Sequence, residues 1–353
     1  MILSHRRLNR TLLHRQHLLS RTSLPAVDLI AHLVGLQAQD PLPPFLGLHA
    51  RTSAVDPYAV SALLSCGELV RLSTLRSTIH LHTAADAGLL RAWTQPVHDY
   101  YTRTVKVIAP AAPLERFAEA VEDVLSLGAL PQPALGGGLV EHFPDVPPKA
   151  LGLRARNELP LVQLPPRGLW KGSGGVVYDL LPRWTGVTPV PSSPSVVVDL
   201  APEIVHRYLR AFGPATAADI TTWSGLTRLG PVVKRIPGLV THRDETGKTL
   251  YDVADGELAD ETSPAPVRLL GTYDNLWLAH SARSRVTLGN ARATWASVTR
   301  ERAGVLLVDG YVTGFWKPDD GRVKIVRLLR DLTPAESDDL AEETTRVEAF
   351  LAL

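Results

Sequence analysis

Gln37-Ala38-Gln39 is the unusual constellation in this 353-residue chain: by spacing alone it is no enzyme signature, but its two amides could share one water if the backbone presents them together. On an α-helix, two amides separated by one residue diverge by about 200°. On an extended chain they point the same way. Pro41 biases Asp40 toward extended backbone, and Pro43 and Pro44 cannot continue a helix. The preceding helix should therefore end near Gly35–Asp40. If it ends at Gly35 or Leu36, both amides face one site and hold a water between them. If it continues, the same residues are a polar helix terminus.

Other chemistries lack their spacing. A lone cysteine, Cys66, excludes a disulfide framework and a cysteine-based zinc site. His14 with His17, and His80 with His82, are pairs without an obvious third ligand, so no metal is expected. Gly136-Gly137-Gly138 and Gly172-Ser173-Gly174-Gly175 lack the phosphate-loop pattern, and no dinucleotide fingerprint is visible, so no cofactor is expected. No G-x-S-x-G elbow supports a serine nucleophile. Asp40, Glu68 and Asp274 have no spacing that marks a catalytic carboxylate pair.

The elements that must position the glutamines follow from periodicity. Residues 4–20 carry Leu8, Leu12, Leu13 and Leu19 on one helical side. Ser23 and Pro25 start a second helix, and Asp56-Pro57 starts another through about Cys66. Leu69 to His82 then reads as two alternating runs, a β-hairpin. Helices followed by a hairpin are the order of a winged helix. The order recurs with a helix at 113–127, a Pro/Gly-rich stretch, and strands within 159–181. It recurs again with a helix over Pro202–Phe212, a second helix capped by Thr216, a short third over Leu229–Ile236, and a hairpin over Leu239–Val253. From about residue 264 strands are expected at Val267–Leu270, Leu276–Ala279, Gly304–Val308, Tyr311–Trp316 and Val323–Leu329, and Asp331 to Pro334 opens an acidic helix. The expected class is α+β: three tandem winged-helix (helix-turn-helix) domains at 1–108, 109–194 and 195–262, then a small β-barrel or β-sheet module at 263–353.

Charge looks neutral: 37 basic and 36 acidic residues give +1. The sum is a cancellation. Residues 1–24 hold five arginines and no acid, and residues 264–330 hold 11 basic and 5 acidic side chains. Residues 244–261 hold seven acids and one lysine, and residues 331–353 hold seven acids and one arginine. A divided surface is expected, with a basic DNA-facing side and acidic regions turned away. The basic N-terminus is followed by no apolar signal region, and no run is long enough to span a membrane, so a cytoplasmic location is expected.

The chain resembles the AlkZ-like bacterial DNA glycosylases over essentially its whole length. The carriers are Gln37-Ala38-Gln39 within Leu33–Pro41, Arg76-Ser77-Thr78-Ile79-His80-Leu81, Gly168-Leu169-Trp170-Lys171-Gly172-Ser173-Gly174, Ala211–Thr216 with Trp223-Ser224-Gly225, Tyr273-Asp274-Asn275-Leu276, and Val308–Trp316. Their order and spacing make the signal. The resemblance implies that Gln37 and Gln39 are catalytic. A second branch of that family has Asp in place of the second glutamine; Gln39 places this chain in the Gln-x-Gln branch, whose members include resistance factors against azinomycin-type alkylating antibiotics.

The implied activity is a monofunctional glycosylase that excises bulky or crosslinked N7-alkylguanine from double-stranded DNA. Arg76, Thr78 and His80 on the first hairpin, Lys171 and Ser173 on the second, and Arg283 with Arg285 are expected to contact DNA. Trp170 and Trp223 are expected to pack in the core. Asp274 and Asn275 match the family motif, as either a structural turn or active-site support. A bulky lesion suits an open cleft better than full base flipping. No catalytic lysine stands out, so lyase activity is not expected, and a monomer is the simplest state. The rival reading is a winged-helix transcription regulator without catalysis, which would more typically dimerise and read half-sites.

Overall fold

The computed structural model describes the chain except residues 105–111, 192, 194, 291, 292, 295, 298, 299 and 301. The expected boundaries at 108/109 and 194/195 touch positions outside the described residues. The architecture is mixed α and β, with three sheets.

The sheet that carries the glutamines is six-stranded and antiparallel. Its order is Leu36–Gln37, Ile79–Thr83, Leu69–Ser73, Leu161–Gln163, Val177–Leu180 and Leu130–Pro131. The first hairpin therefore lies in the middle of a sheet, flanked on one side by the strand of Gln37 and on the other by Leu161–Gln163. Strand residues alternate faces. Leu36, Ala38, Leu69, Ile79 and Leu81 enter one core with Phe45, Leu46 and Val60. Val70 and Leu72 enter another with Val162, Leu164 and Leu181.

Residues 114–180 enclose their own core around Phe117, Leu135, Leu151 and Tyr178. Two helices there were not legible in advance. Gln132–Leu139 runs through the triple glycine, and Pro148–Glu158 follows it. Glycine is poor in helices, but here contact requires it. A Cβ on Gly136 would meet the Pro148 carbonyl oxygen at 2.3 Å, and one on Gly138 would meet Val124 at 2.8 Å.

The third grouping has a long helix, Val196–Phe212, with Pro202 inside it and so starting earlier than expected. Helix Ala217–Ser224 is capped by Thr216, whose hydroxyl accepts from Asp219 N while Asp219 accepts from Thr216 N. The hairpin Leu239–Asp244 and Thr249–Val253 pairs in parallel with Ile2–Leu3. The N-terminal helix His5–Arg15 buries Leu12 and Leu13 in the same core as Tyr208, Phe212 and Trp223.

The C-terminal module is an open four-stranded antiparallel sheet, Arg268–Leu270, Gly304–Val308, Tyr311–Asp319 and Arg322–Leu328, and not a barrel. Helix Pro334–Ala352 follows it. Leu276–Ala279 does not form the expected strand. Asn275–Leu278 is a short helix capped by the Asp274 carboxylate, which accepts from Leu276 N at 2.9 Å. Because this helix is buried on all sides, its apolar run carries no helical period.

The charged segments meet instead of separating. Arg6 and Arg10 both bond Asp309, Arg15 forms a buried fork with Asp252 at 2.7 and 2.9 Å, and Arg21 bonds Glu343 at 2.6 Å. His5 N donates to Glu245 at 2.9 Å, and Arg6 Nε donates to the Glu261 carbonyl at 3.0 Å. Arg15 and Arg21 are thus paired with carboxylates of the acidic stretches, while Arg6 and Arg10 share Asp309 of the 264–330 segment. The expected basic DNA-facing side is not built from them.

Candidate active site

Helix Ala26–His32 ends in a Schellman turn, with Gly35 N donating to Ile30 O at 2.9 Å and Val34 N to Ala31 O at 3.1 Å. Val34 sits at φ 53°, an unusual conformation for a β-branched residue. Gly35 follows at φ 91°, and a Cβ there would lie 2.2 Å from the His82 ring. The Asn275 amide donates to Gly35 O at 2.6 Å. Beneath it, the Asp274 carboxylate makes a buried fork with Arg51, both bonds 2.7 Å, and Arg51 continues to Gly47 O and Gln16. Asp274 and Asn275 are therefore both a helix cap and the brace of the chain that enters the glutamines.

From Leu36 the chain is extended. Leu36 pairs with Leu81 and Gln37 with His80, and Ala38 N donates to Ile79 O at 2.8 Å. Ala38 is fully buried, Gln37 is half-buried and Gln39 is exposed. The Gln37 Oε1 accepts from Arg76 Nη2 at 3.0 Å. The Gln39 Oε1 accepts from Ile79 N at 3.3 Å. Each amide oxygen is held by one donor and keeps a second lone pair.

Arg76 and His80 do not face outward as wing residues. His80 is 1% exposed and stacks on His82, with centroids 5.7 Å apart. Its Nδ1 donates to Thr78 O at 2.9 Å, which leaves Nε2 to accept from Arg76 Nη2 at 3.2 Å. Burial, reinforced by the adjacent Arg76 charge, holds the His80 ring far below its usual pKa, so it stays neutral. Arg76 Nη1 also donates to the Trp223 carbonyl. Burial and the nearby Arg283 charge lower the Arg76 guanidinium to about 10, still protonated at neutral pH. Arg76 and Ser77 both occupy left-handed backbone, at φ 55° and 56°. Such conformations cost about 1–2 kcal/mol for residues with a Cβ.

A residue that sequence reasoning missed holds the site from the other face. Arg71 is buried; its Nη2 donates to Ala38 O at 2.8 Å and its Nη1 to Arg167 O at 3.0 Å. Burial lowers its guanidinium to about 10. Gly168 leaves room for it, since a Cβ there would lie 2.6 Å from Arg71 Nη1. The Gly168–Gly174 motif thus begins with a glycine that lets an arginine reach the middle residue of Gln37-Ala38-Gln39. The signal in the sequence was a charged residue inside an otherwise apolar strand run.

The remaining expected residues fall in different places. Thr78 is half-buried, with its hydroxyl on Leu75 O at 3.1 Å. Lys171 and Ser173 are exposed, and Lys171 Nζ reaches the Ala352 carbonyl at 3.4 Å. Arg283 is half-buried and donates to His280 O. Arg285 is 7% exposed and turned inward, donating to Pro214 O at 2.7 Å with its Nη1 3.0 Å from His280 Nε2. It is a structural arginine, which corrects its assignment as a DNA contact. Trp170 and Trp223 are buried as expected, Trp170 edge-on to Phe45 and Trp223 among Trp93, Tyr208 and Phe212. Among the described residues no cluster of metal-ligating side chains occurs, and no helix is long and apolar enough to cross a membrane.

Comparisons with known proteins place the chain in a family. The family model described as DNA glycosylase AlkZ-like matches residues 30–350. An interstrand DNA cross-link repair glycosylase of Streptomyces sahachiroi is 25% identical over 333 residues, covering 86% of this chain and 85% of that one. The solved structure of the Streptomyces sahachiroi DNA glycosylase AlkZ superposes with a TM-score of 0.73 at 21% identity, covering 100% of this chain and 98% of that one. A regulator without catalysis finds no support in these matches. The chain belongs to the AlkZ-like DNA glycosylase family.

Proposed function

We propose that this DNA glycosylase hydrolyses the N-glycosidic bond of bulky or crosslinked N7-alkylguanine, with Gln37 and Gln39 orienting the water. The observation that carries the reading is the pinning of both amide oxygens, Gln37 on the strand Leu36–Gln37 by Arg76 and Gln39 at the bend that follows by Ile79 N–H. The Streptomyces sahachiroi relative is an interstrand cross-link repair glycosylase, which supports the lesion class.

The chemistry asks little of a base. An N7-alkylguanine carries positive charge, and breaking C1′–N9 with the electron pair leaving on N9 neutralises it. The leaving group needs no protonation. The sugar passes through an oxocarbenium-like state. A water oxygen adds to C1′, and its proton passes to solvent while its hydrogens are aimed by the amide oxygens. Neutral amides are weak bases, but positioning and dipolar stabilisation are what this transition state requires. Exposed Lys171 and Ser173, with Thr78 and Arg283, remain the proposed DNA contacts, and an open cleft without full flipping fits Gln39 lying at the surface. The enzyme acts as a monomer on duplex DNA.

The test is excision from an oligonucleotide bearing one N7-methylguanine, read as alkali-induced strand breaks. Gln37→Ala and Gln39→Ala, each shown to fold, should lose on the order of 10²–10³-fold in rate, the loss typical of removing one preorganised polar group. Native rates in both folded variants refute the assignment.

A further inference from the structure

Arg76 lies at the tip of the first hairpin, where a DNA contact was expected, yet three of its five N–H donors are directed inside the protein. Nη2 has two hydrogens, and they are directed at Gln37 Oε1 at 3.0 Å and His80 Nε2 at 3.2 Å. Nη1 donates to the Trp223 carbonyl. The planar fork that would grip a phosphate through two parallel bonds is therefore not available.

Each partner is itself fixed. The His80 tautomer is set by the bond from Nδ1 to Thr78 O at 2.9 Å, so Nε2 can only accept. Trp223 is 2% exposed and packs against Trp93, Tyr208 and Phe212. Gly225, at φ 83°, lets the following loop press on the hairpin tip, since a Cβ there would lie 3.0 Å from Arg76 Cα. The Trp223-Ser224-Gly225 motif is thus the far anchor of Arg76.

The backbone gives a second, independent sign. Arg76 (φ 55°, ψ 21°) and Ser77 (φ 56°) have the shape of a type I′ turn, which favours Asn-Gly. An arginine kept where glycine would relax the turn is kept for its side chain.

We propose that Arg76 is a positioning residue of the glycosylase reaction: it fixes the Gln37 amide oxygen toward the reacting water and ties the catalytic strand to the Trp223 carbonyl, and it does not bind DNA phosphate. This rests on the reading of Gln37 as a water-orienting residue.

The experiment is single-turnover excision of N7-methylguanine, with duplex affinity measured over a salt series, for Arg76→Gly and Arg76→Asn. Both replacements tolerate left-handed backbone, which offsets part of the loss of three hydrogen bonds, so both variants are expected to fold cooperatively with melting temperatures no more than modestly below the parent's. The excision rate should fall by about 10–100-fold, the scale of a misplaced reacting group, while affinity and its salt slope stay as in the parent. Arg76→Lys should not restore the rate, because a single ammonium cannot hold three acceptors in one plane. In a Gln37→Ala background, Arg76→Gly should cost nothing more, since both act through one amide. An unchanged rate in both turn variants overturns the proposal. So does weakened affinity with a salt slope lower by about one, the mark of a phosphate contact. If Gln37→Ala itself excises at the native rate, the underlying assignment of Gln37 fails; if only Gln37→Ala is slow, the assignment stands and the role of Arg76 falls.

Discussion

Two hairpins in this chain share a plan and have opposite fates. The hairpin Leu69–Thr83 is buried along both strands, with a neighbour strand on each side. The hairpin Leu239–Val253 lies in a three-stranded sheet, with exposed Val240 and Thr241 and an acidic tip. Their tips differ in the same sense. The first turns through Arg76 and Ser77 in left-handed backbone, which only tertiary contacts justify. The second turns through Gly247 at φ 84°, with Asp244 Oδ1 accepting from Thr246 N and Lys248 N, both at 2.9 Å. The second tip is thus satisfied by local chemistry, as an ordinary turn is. The first closes its own turn bond too, Thr78 N to Leu75 O at 3.1 Å, but the left-handed backbone of Arg76 and Ser77 is offset by the Arg76 bonds to Gln37, His80 and Trp223. A hairpin enclosed on both edges stops being a surface probe and becomes a support for the strand of Gln37.

The largest expected consequence concerns the two glycines that serve these hairpins. Gly35 and Gly247 both have positive φ, but a Cβ on Gly35 would lie 2.2 Å from the His82 ring, whereas nothing lies within 4 Å of one on Gly247. The His82 ring has no room to retreat: it is fully buried, stacks on His80, and its Nε2 lies 2.9 Å from Thr74 Oγ1. Gly35→Ala should therefore combine a backbone penalty of about 1–2 kcal/mol with overpacking of about 1–3 kcal/mol. Urea unfolding should show about 4 kcal/mol lost in total, with excision impaired by the shifted strand. A loss near 1 kcal/mol would mean that the strand of Gln37 yields easily, and the rigid support would be disproved.

The histidines sharpen the contrast next. His82 is held neutral, its pKa lowered from 6.5 to about 4, because burial and Arg207 outweigh the attraction of Asp86. Its folded value lies below its unfolded one. Its contribution is therefore complete above pH 6.5, declines as pH falls toward 4, and is flat below. Each unit within that window costs about 1.4 kcal/mol, hence about 3 kcal/mol across it as an order of magnitude. The difference in unfolding free energy between parent and His82→Gln should change with pH over that window. A pH-independent difference would show that the ring is solvated. In the second hairpin, His242 is only partly buried; burial lowers its pKa while Asp252 opposes the shift.

The parts legible in the sequence were those with local causes. Thr216 with Asp219 and Thr333 with Glu336 form capping boxes that mark helix starts, and Pro41 points to the extended glutamines. Helix Ala84–Trp93 carried the same sign, Thr83 accepting from Asp86 N, but it follows the hairpin without a turn and its apolar residues lie on most sides. Helix Gln132–Leu139 was hidden because Gly136 and Gly138 are explained only by the neighbours they touch, and Gly137 touches none. The candidate site divides likewise. Gln37 and Gln39 were singled out by the family resemblance, because spacing alone does not mark them. Their supports come from far along the chain, Asp274 to Arg51 and Trp223 to Arg76, and no periodicity encodes a partner at such separation. A basic residue in a hairpin was read as a DNA contact because wings are usually open; two flanking strands removed that premise.

The smallest expected effect lies at the second tip. Asp244→Ala removes the acceptor of Thr246 N, Lys248 N and the Thr246 hydroxyl, the last at 2.7 Å. These bonds hold the carboxyl below its ordinary range, which agrees with an ionised Asp that organises its own turn. The site is open enough for water to replace the lost partners, so no amide is left buried and unpaired. The turn keeps its glycine and the strands keep their ladder from Leu239–Val253 to Arg243–Thr249. About 1 kcal/mol of stability should be lost, the net worth of such bonds, and the excision rate should not change. A rate loss on the scale of the glutamine variants would place this tip against the DNA during the reaction. The two hairpins would then share one task, and the enclosure of the first would not be what distinguishes them.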